Sequence, residues 1–375
     1  MRLLINTASV MRGGSVQVAY SFIMECAKIE GHQYGLIAGP GLQKLMGDQG
    51  FLKHFTIYEV DYRPAQSPFK AFLGNVFDDI ERDFCPDVVF TTSGPAYWKS
   101  QAPHLIGYNL PHYIYPESPY FQTIGFKERL HWKLWKQLIR FFYNRDADAL
   151  VTQTDDVGER AGRYLKCSHV STVSNTCASH FLSPQSFDNS PFHKEEGKEY
   201  LLYLTAYYPH KNLEIINRVA PILENKFPGK FIFVVTLPED VYSRVIAPAV
   251  TASVLNIKPV KPEMCPTLYR FCDYTFIPTL LECFSATYAE SMAMDRVILT
   301  SDMGFAETVC KNAAEYFDPS NPDEIAESII KISSNENRRK ELIMAGRARL
   351  QDMPSAEERA ARYLELCERL RPALN

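Results

Sequence analysis

Short apolar runs alternate with longer mixed segments along this chain. Runs rich in Val, Ile, Leu and aromatic residues, with helical patterns such as residues 16–31 between them, indicate parallel strands that are buried on both faces. The pattern therefore predicts an α/β fold built from Rossmann-like, doubly wound sheets. The predicted strands are 3–5, 34–39, 86–92, 104–109 and 147–154 in a first series, then 200–205, 230–236, 273–278 and 296–301 in a second.

Two domains are predicted from length and from the break between the two series. A chain of 375 residues is too long for one ordinary core. The polar stretch 183–199 separates the strand series, so the linker is expected there or just before it. A last helix is predicted behind Ser355, because Glu358 follows three residues later as in a capping box.

Charge and cysteine content limit the partners and the cellular compartment that this chain can be expected to have. With 40 basic and 44 acidic residues the net charge is −4, so no global field recruits nucleic acid or an anionic membrane. The nine cysteines are scattered and form no C-x-x-C pair, which favours a reducing cytoplasm over a disulfide framework or a zinc site. The first apolar stretch is too short for a signal peptide, and no run approaches the length of a membrane span. The predicted location is cytoplasmic.

Two glutamates bracket a turn in the second series. Glu282 follows the strand 273–278, and Glu290 lies in the helical segment after it, with seven residues between them. The free amides of a strand-to-helix turn suit a phosphate, and a carboxylate accepts two hydrogen bonds from a vicinal diol. The pair therefore suggests sugars on both sides of a phosphate, the alternative being two solvated surface carboxylates.

Six further segments occur along the chain in this order: GGSVQ (13–17), NLPHYIYP (109–116), RDADALVTQT (145–154), VSNTCASHF (173–181), LTAYYPHKNLEII (204–216) and GFAE (304–307). Together with the glutamate pair, they resemble the motifs of glycosyltransferase family 4 of the bacterial type, retaining enzymes of GT-B architecture. The signature of that family is a glutamate, seven residues and a second glutamate.

The resemblance implies two Rossmann-like domains that face each other across a cleft. The expected division is an acceptor-side domain 1–172, a nucleotide-sugar domain 173–356 and a helix 357–375 that packs back on the first domain. The implied activity is transfer of a sugar from a nucleoside diphosphate sugar to a hydroxyl of a glycan or lipid-linked glycan, with retention and by front-face attack. No resident cofactor and no nucleic-acid partner are expected.

The resemblance also assigns roles to residues. Glu290 is expected to bind the ribose, Glu282 to lie against the donor sugar, and Lys211 to neutralise the leaving diphosphate. His112 is expected to point at donor sugar and acceptor, although a lone histidine is also common as a structural residue. Donor contacts are further expected from Gly13, Gly14, Arg12, Thr205 and the turn Cys283, Phe284, Ser285, Ala286 and Thr287.

Three positions depart from the family pattern. Thr205 stands where the family often has an arginine, so Arg12 is the candidate substitute cation, and Cys283 and Asp295 replace usual glycines. If these changes disable the site, the chain would be a nucleotide-sugar-binding protein without turnover. A nucleotide-sugar epimerase of the same architecture is the other alternative.

Residues 146–148 are a candidate metal site, and residues 126–145 are a candidate basic helix. The DAD triplet 146–148 resembles an Asp-x-Asp metal site, but it precedes a strand instead of ending one and has no evident third oxygen ligand, so metal independence is expected.

Segment 126–145 carries Arg129, Lys133, Lys136 and Arg140 on one helical stripe beside Trp132. This stripe is either a solvated helix face or a contact with the inner face of a membrane or a lipid diphosphate.

Overall fold

The computed structural model describes residues 1–11, 13–46, 50–61, 64, 76–182 and 191–371. The candidate cation Arg12 and residues 183–190 of the predicted linker lie outside these residues. The chain divides into two compact units, each with its own sheet. Unit 1 comprises Met1–Pro116, Ile124–Asn175 and Pro354–Asn375, and unit 2 comprises Glu117–Thr123 and Thr176–Met353.

Unit 1 contains a seven-stranded parallel sheet, here sheet 1, in the order β3-β2-β1-β4-β5-β6-β7. The five interior strands are almost fully buried, which is why their sequences read as continuous apolar runs, whereas the edge strands β3 and β7 are partly exposed. They are β1 (Arg2–Asn6), β2 (Gln33–Ala38), β3 (Phe55–Glu59), β4 (Val88–Thr91), β5 (His104–Gly107), β6 (Ala149–Thr152) and β7 (Val170–Thr172).

Unit 2 contains a six-stranded parallel sheet, here sheet 2, in the order β10-β9-β8-β11-β12-β13. Every residue of the strands FIFVV and VILTS is buried. The strands are β8 (Glu199–Tyr203), β9 (Phe231–Val235), β10 (Val254–Asn256), β11 (Tyr274–Ile277), β12 (Val297–Ser301) and β13 (Ala314–Phe317). The predicted α/β class with two doubly wound sheets is confirmed.

Helices connect the strands. Among the described residues, no helix is both long enough and apolar enough to cross a bilayer. The helices are α1 (Gly14–Cys26), α2 (Pro40–Met46), α3 (Val76–Phe84), α4 (Tyr120–Thr123), α5 (Phe126–Asp146), α6 (Asp155–Leu165), α7 (Ser179–Leu182), α8 (Ile216–Lys226), α9 (Glu239–Val245), α10 (Cys265–Phe271), α11 (Ala286–Ala293), α12 (Gly304–Cys310), α13 (Pro322–Ser333), α14 (Glu336–Gln351) and α15 (Ala356–Leu370).

The last helix, α15, packs on unit 1. Tyr363 contacts the rings of Phe22 on α1 and Phe90 on β4, with ring centroids 5.4 and 5.2 Å apart. Its first turn carries the predicted capping box, in which Ser355 Oγ accepts from the Glu358 amide and the Glu358 carboxylate accepts from the Ser355 amide. The helix is therefore held by its own cap and by an aromatic contact with the sheet.

The segment 117–123 is not part of unit 1, although the sequence analysis included it in a domain 1–172. It contacts unit 2, because Ser118 Oγ donates to the carbonyl of Leu280 at 2.6 Å and the ring of Tyr120 meets that of His210 edge-on. The chain leaves unit 1 again after Asn175, three residues beyond the expected boundary, and returns to it at Pro354.

Candidate active site

The strand order of sheet 2 reverses between β8 and β11. The chain runs from β8 outward to β9 and β10 and then returns to the other side of β8 for β11. Ligands of such sheets bind at the carboxyl ends of the strands at this switch point. Lys211 lies in the loop after β8 and Glu282 in the loop after β11.

Lys211 and Glu282 form an ion pair in which the ammonium donates to Glu282 Oε2. Their side chains are only 15 and 18% exposed, so the two charges largely compensate each other inside the protein. The family resemblance implied separate roles for Lys211 and Glu282, and no local pattern in the sequence indicated their contact.

Backbone and amide contacts fix the two loops against each other. The amide of Leu280 donates to the carbonyl of His210 at 2.8 Å. Asn212 adopts a left-handed backbone conformation and its side-chain amide donates to the carbonyls of Pro278 and Pro319, at 3.1 and 2.9 Å. These bonds hold Lys211 and Glu282 in register across the switch point.

Glu290 lies on α11, where its carboxylate accepts a hydrogen bond of 2.8 Å from the hydroxyl of Tyr269. Burial of the carboxyl group raises the pKa of Glu290 from 4.5 to about 7, and the bond from Tyr269 opposes this shift only in part. The group is thus able to bind or release a proton near neutral pH. Tyr269 was missed by the sequence analysis, because nothing in its local pattern distinguishes it from a core tyrosine.

The turn between Glu282 and Glu290 leads into α11. Cys283, Phe284 and Ser285 are buried, whereas Ala286 and Thr287 are half-buried. The helix begins at Ala286, and the side chain of its N-cap residue Ser285 makes no capping bond. The first amides of α11 therefore have no side-chain acceptor from their own N-cap, which suits a helix terminus that receives an anion.

His210 also lies next to Lys211, although the sequence patterns did not indicate it as a site residue. It stacks on Tyr208 with ring centroids 5.5 Å apart, and burial together with the charge of Lys211 lowers its pKa to about 4. A neutral imidazole therefore adjoins Lys211 at physiological pH. Its only sequence signal is its place directly before Lys211.

Thr205 and Asp295, two of the positions that depart from the family pattern, form hydrogen bonds within unit 2. The hydroxyl of Thr205 donates to the carbonyl of Ala206 at 3.0 Å. Asp295 has a left-handed backbone (φ 55°) and its carboxylate forms a two-bond ion pair with Arg347 of α14, at 2.6 and 2.8 Å. Asp295 therefore joins the end of α11 to α14, which explains an aspartate in this turn.

In unit 1 the corresponding switch point lies between β1 and β4. Gly13 and Gly14 follow β1 at the start of α1, and Gly13 has φ 73° and ψ −154°. A side chain at Gly13 would meet no atom within 4 Å, so the need for glycine comes from the backbone conformation and not from lack of space.

His112 lies in a short 3-10 turn, Pro111–Tyr113, after β5. Its ring stacks on Trp132 of α5 with centroids 4.2 Å apart and planes inclined by 7°. Trp132 was expected beside the basic stripe, and the structure instead packs it under His112. The tryptophan fixes the plane of the imidazole.

The DAD carboxylates have protein partners. Asp146 is fully buried, accepts from the amide of Trp98 at 3.1 Å and pairs with Arg145. Asp148 accepts from the amide of His104 at 2.8 Å and pairs with Lys99 at 3.3 Å. Both carboxylates therefore tie β5 and the preceding loop to the start of β6.

One family model matches part of the chain. Residues 185–349 match the family model of the glycosyl transferases group 1. The matched group 1 segment contains Lys211, Glu282, Glu290 and the turn between the glutamates. No curated protein sequence matches the chain.

Solved GT-B structures resemble nearly the whole chain. A glycosyltransferase from Rickettsia africae is 14% identical with a TM-score of 0.70, and 98% of each chain is covered. Sucrose-phosphate synthase from Thermosynechococcus elongatus is 13% identical with a TM-score of 0.71, covering 99% of each chain. Anabaena HepE in complex with UDP-glucose is 12% identical with a TM-score of 0.67, covering 97% of this chain and 99% of the other. The fold is that of the GT-B glycosyltransferases.

Proposed function

We propose that this protein is a retaining, metal-independent glycosyltransferase of family 4. It transfers a sugar from a nucleoside diphosphate sugar to a hydroxyl of a glycan or lipid-linked glycan, in the cytoplasm and in peripheral contact with the membrane. The observation that carries the proposal is the Lys211–Glu282 pair at the switch point of sheet 2, with Glu290 on the next helix, inside the segment that matches the group 1 model.

The charges of the site fit a nucleoside diphosphate. Lys211 supplies a cation that stabilises the departing diphosphate, and the amides at the start of α11 add oriented dipoles. Glu290, once ionised, accepts hydrogen bonds from a ribose diol. HepE was crystallised with UDP and with UDP-glucose, which supports trying sugars of uridine diphosphate first as donors.

Donor binding and turnover are tested separately. Nucleoside diphosphates and their sugars are screened by thermal shift, where a ligand at 100 times its dissociation constant adds about 2.7 kcal/mol of stability. The donor that binds is then incubated with and without sugar and lipid-linked acceptors. Transfer with retained configuration supports the proposal. An isomerised or freed sugar without acceptor identifies an epimerase, and binding without turnover on any acceptor identifies a binding protein.

A further inference from the structure

Helix α5 carries an exposed apolar ridge. Phe126, Leu130, Leu134 and Phe141 are 80, 46, 67 and 48% exposed. At about 100° per residue they fall within one arc of roughly 80°. The opposite face, with Ile139, Phe142 and Tyr143, is buried against unit 1. The helix therefore presents apolar side chains on two faces, of which one faces outward.

Cations flank this ridge on both sides. By helical position, Lys133 and Arg140 lie along one edge and Lys127 along the other, where Arg145 follows but is already paired with Asp146. Arg140 and Arg145 line a shallow, open depression together with Phe141. The helix contains six basic and two acidic residues, so it carries +4 while the rest of the chain carries −8.

This surface differs from the basic stripe expected from sequence. Arg129 Nε donates to the carbonyl of Ile124 at 3.1 Å. Nζ of Lys136 lies 5.2 Å from the ring centroid of Tyr164, and burial lowers the pKa of this ammonium group. Both cations thus turn toward unit 1, and the outward face is the apolar ridge with its flanking cations.

We propose that α5 docks on the anionic surface of a lipid bilayer. The apolar ridge enters the boundary between head groups and acyl chains, and the flanking cations contact lipid phosphates. An exposed apolar arc bordered by Lys and Arg is the charge and shape pattern of an interfacial helix. The net charge of the rest of the chain opposes a purely electrostatic attraction, so the ridge must contribute to binding.

A second copy of the chain fits this surface less well. Two α5 helices related by a two-fold axis would bring the cations along each ridge toward those of the partner. Such like-charge contacts disfavour the pairing, whereas lipid phosphates complement the same cations. The charge pattern therefore selects an anionic lipid surface.

Docking through α5 would hold His112 one helix diameter (~10 Å) from the bilayer surface, because Trp132, which stacks on His112 and meets Tyr113 edge-on, lies on the face of α5 opposite the ridge. This consequence rests on the proposed function. It points to an acceptor whose lipid anchor stays in the membrane while its sugar hydroxyl reaches the turn 111–113.

The docking is tested by co-sedimentation with vesicles of phosphatidylcholine and phosphatidylglycerol, against pure phosphatidylcholine vesicles. The full chain should bind the anionic vesicles at low salt and dissociate at high salt. The double variant Leu130→Ser, Leu134→Ser should bind at least about tenfold more weakly. Lys127→Gln with Lys133→Gln should lose about fivefold per cation.

Matched controls lie on unit 2. Met344 is an exposed apolar residue (61%) on α14, and Lys226 is an exposed cation on α8. Met344→Ser and Lys226→Gln should bind vesicles as the unsubstituted protein does. Nucleoside diphosphate thermal shifts of all variants report folding and the donor site independently of docking.

Three results would overturn the docking proposal. The unsubstituted protein could ignore anionic vesicles at low salt, or bind them equally well after both α5 double substitutions. Ultracentrifugation could instead reveal a dimer that Leu130→Ser, Leu134→Ser dissociates, which would assign the ridge to a second copy. A nucleotide shift that persists in any of these cases would leave the proposed glycosyl transfer standing.

Discussion

At the scale of single residues, Glu290 links stability to pH. Its folded pKa of about 7 exceeds the ordinary 4.5, so the folded state favours the protonated carboxyl. The associated stabilisation is complete below the unfolded pKa and is lost as pH rises through 7. Glu290→Gln should therefore make the unliganded protein more stable above pH 7, by up to about 3 kcal/mol, and leave it nearly unchanged at acidic pH. Urea unfolding across this range measures the effect.

The same carboxyl predicts a pH-dependent affinity. If ionised Glu290 binds the ribose, nucleotide binding should strengthen as pH rises through about 7, and Glu290→Gln should abolish this dependence. Glu290→Ala should weaken binding by about 1.5 to 3 kcal/mol, the cost of hydrogen bonds to a charged group. Calorimetry that shows equal affinities for the variant and the unsubstituted protein would remove Glu290 from the nucleotide site.

Lys211 is expected to act in the chemical step. Only stabilisation that is stronger in the transition state speeds the reaction, so Lys211→Ala should lower kcat by about 100-fold or more while donor affinity changes less. Lys211→Ala also leaves the carboxylate of Glu282 without its cation. The double variant Lys211→Met, Glu282→Gln removes both charges, so comparing it with Lys211→Ala separates loss of the cation from the effect of an unpaired carboxylate. Lys226→Ala, an exposed lysine of the same unit, serves as control. Unchanged turnover of Lys211→Ala would exclude the role.

Metal independence is a prediction about Asp146 and Asp148. Both carboxylates accept backbone bonds and pair with cations, so recruiting them to a metal would break four contacts. Transfer should therefore survive a chelator. Complete loss with EDTA and recovery with Mn²⁺ would contradict this.

The candidate residues could be chosen from sequence, but their partners could not. The spacing of Glu282 and Glu290 and the place of Lys211 after a strand are local patterns. The ion pair of Lys211, the hydroxyl of Tyr269 on Glu290 and the stack of Trp132 on His112 join residues 20 or more positions apart. Such contacts depend on tertiary packing, which a single sequence does not reveal.

At the scale of elements, burial decided which strands could be predicted. All nine predicted strands are present, and the four that were missed, β3, β7, β10 and β13, are the edges of the two sheets. An edge strand has a neighbour on one side only and is shorter or more exposed, as in VST of β7. Its sequence therefore lacks the continuous apolar run that identifies an interior strand.

Helix α15 offers a test of a single cap. Ser355→Ala removes the side-chain acceptor for the Glu358 amide and should cost about 1 kcal/mol, whereas Ser355→Asp should retain the cap. Hydrogen exchange of the first turn of α15 measures the change. Equal protection in Ser355→Ala and the unsubstituted protein would show that packing of Tyr363 alone holds the helix.

At the scale of the whole molecule, two units with separate cores share one chain. Unfolding need not then be two-state, and a single midpoint would mix two stabilities. Measurements that resolve positions along the chain are needed to assign an effect to one unit.

Arg359 provides such an assignment, because it is a buried cation of unit 1 that joins α15 to α1 and to the end of the unit. Arg359 is 2% exposed, and its guanidinium donates to Asn175, the last residue before unit 2, and to Ser21 Oγ at 2.9 Å. Burial lowers the pKa of this guanidinium, and its hydrogen bonds offset the cost of desolvation.

Arg359→Ala should therefore destabilise unit 1 by about 3 kcal/mol, since it removes the hydrogen bonds to the buried Asn175 and the half-buried Ser21 and opens a cavity. Arg362→Ala, an exposed position on the same helix, should have little effect. Hydrogen exchange should quicken in β1, β4 and β5 of Arg359→Ala, while β8 and β9 keep their protection. Addition of the nucleoside diphosphate should protect unit 2 equally in both variants. Loss of protection in both sheets of Arg359→Ala alike would mean that the units unfold together and that Arg359 stabilises the molecule as one body.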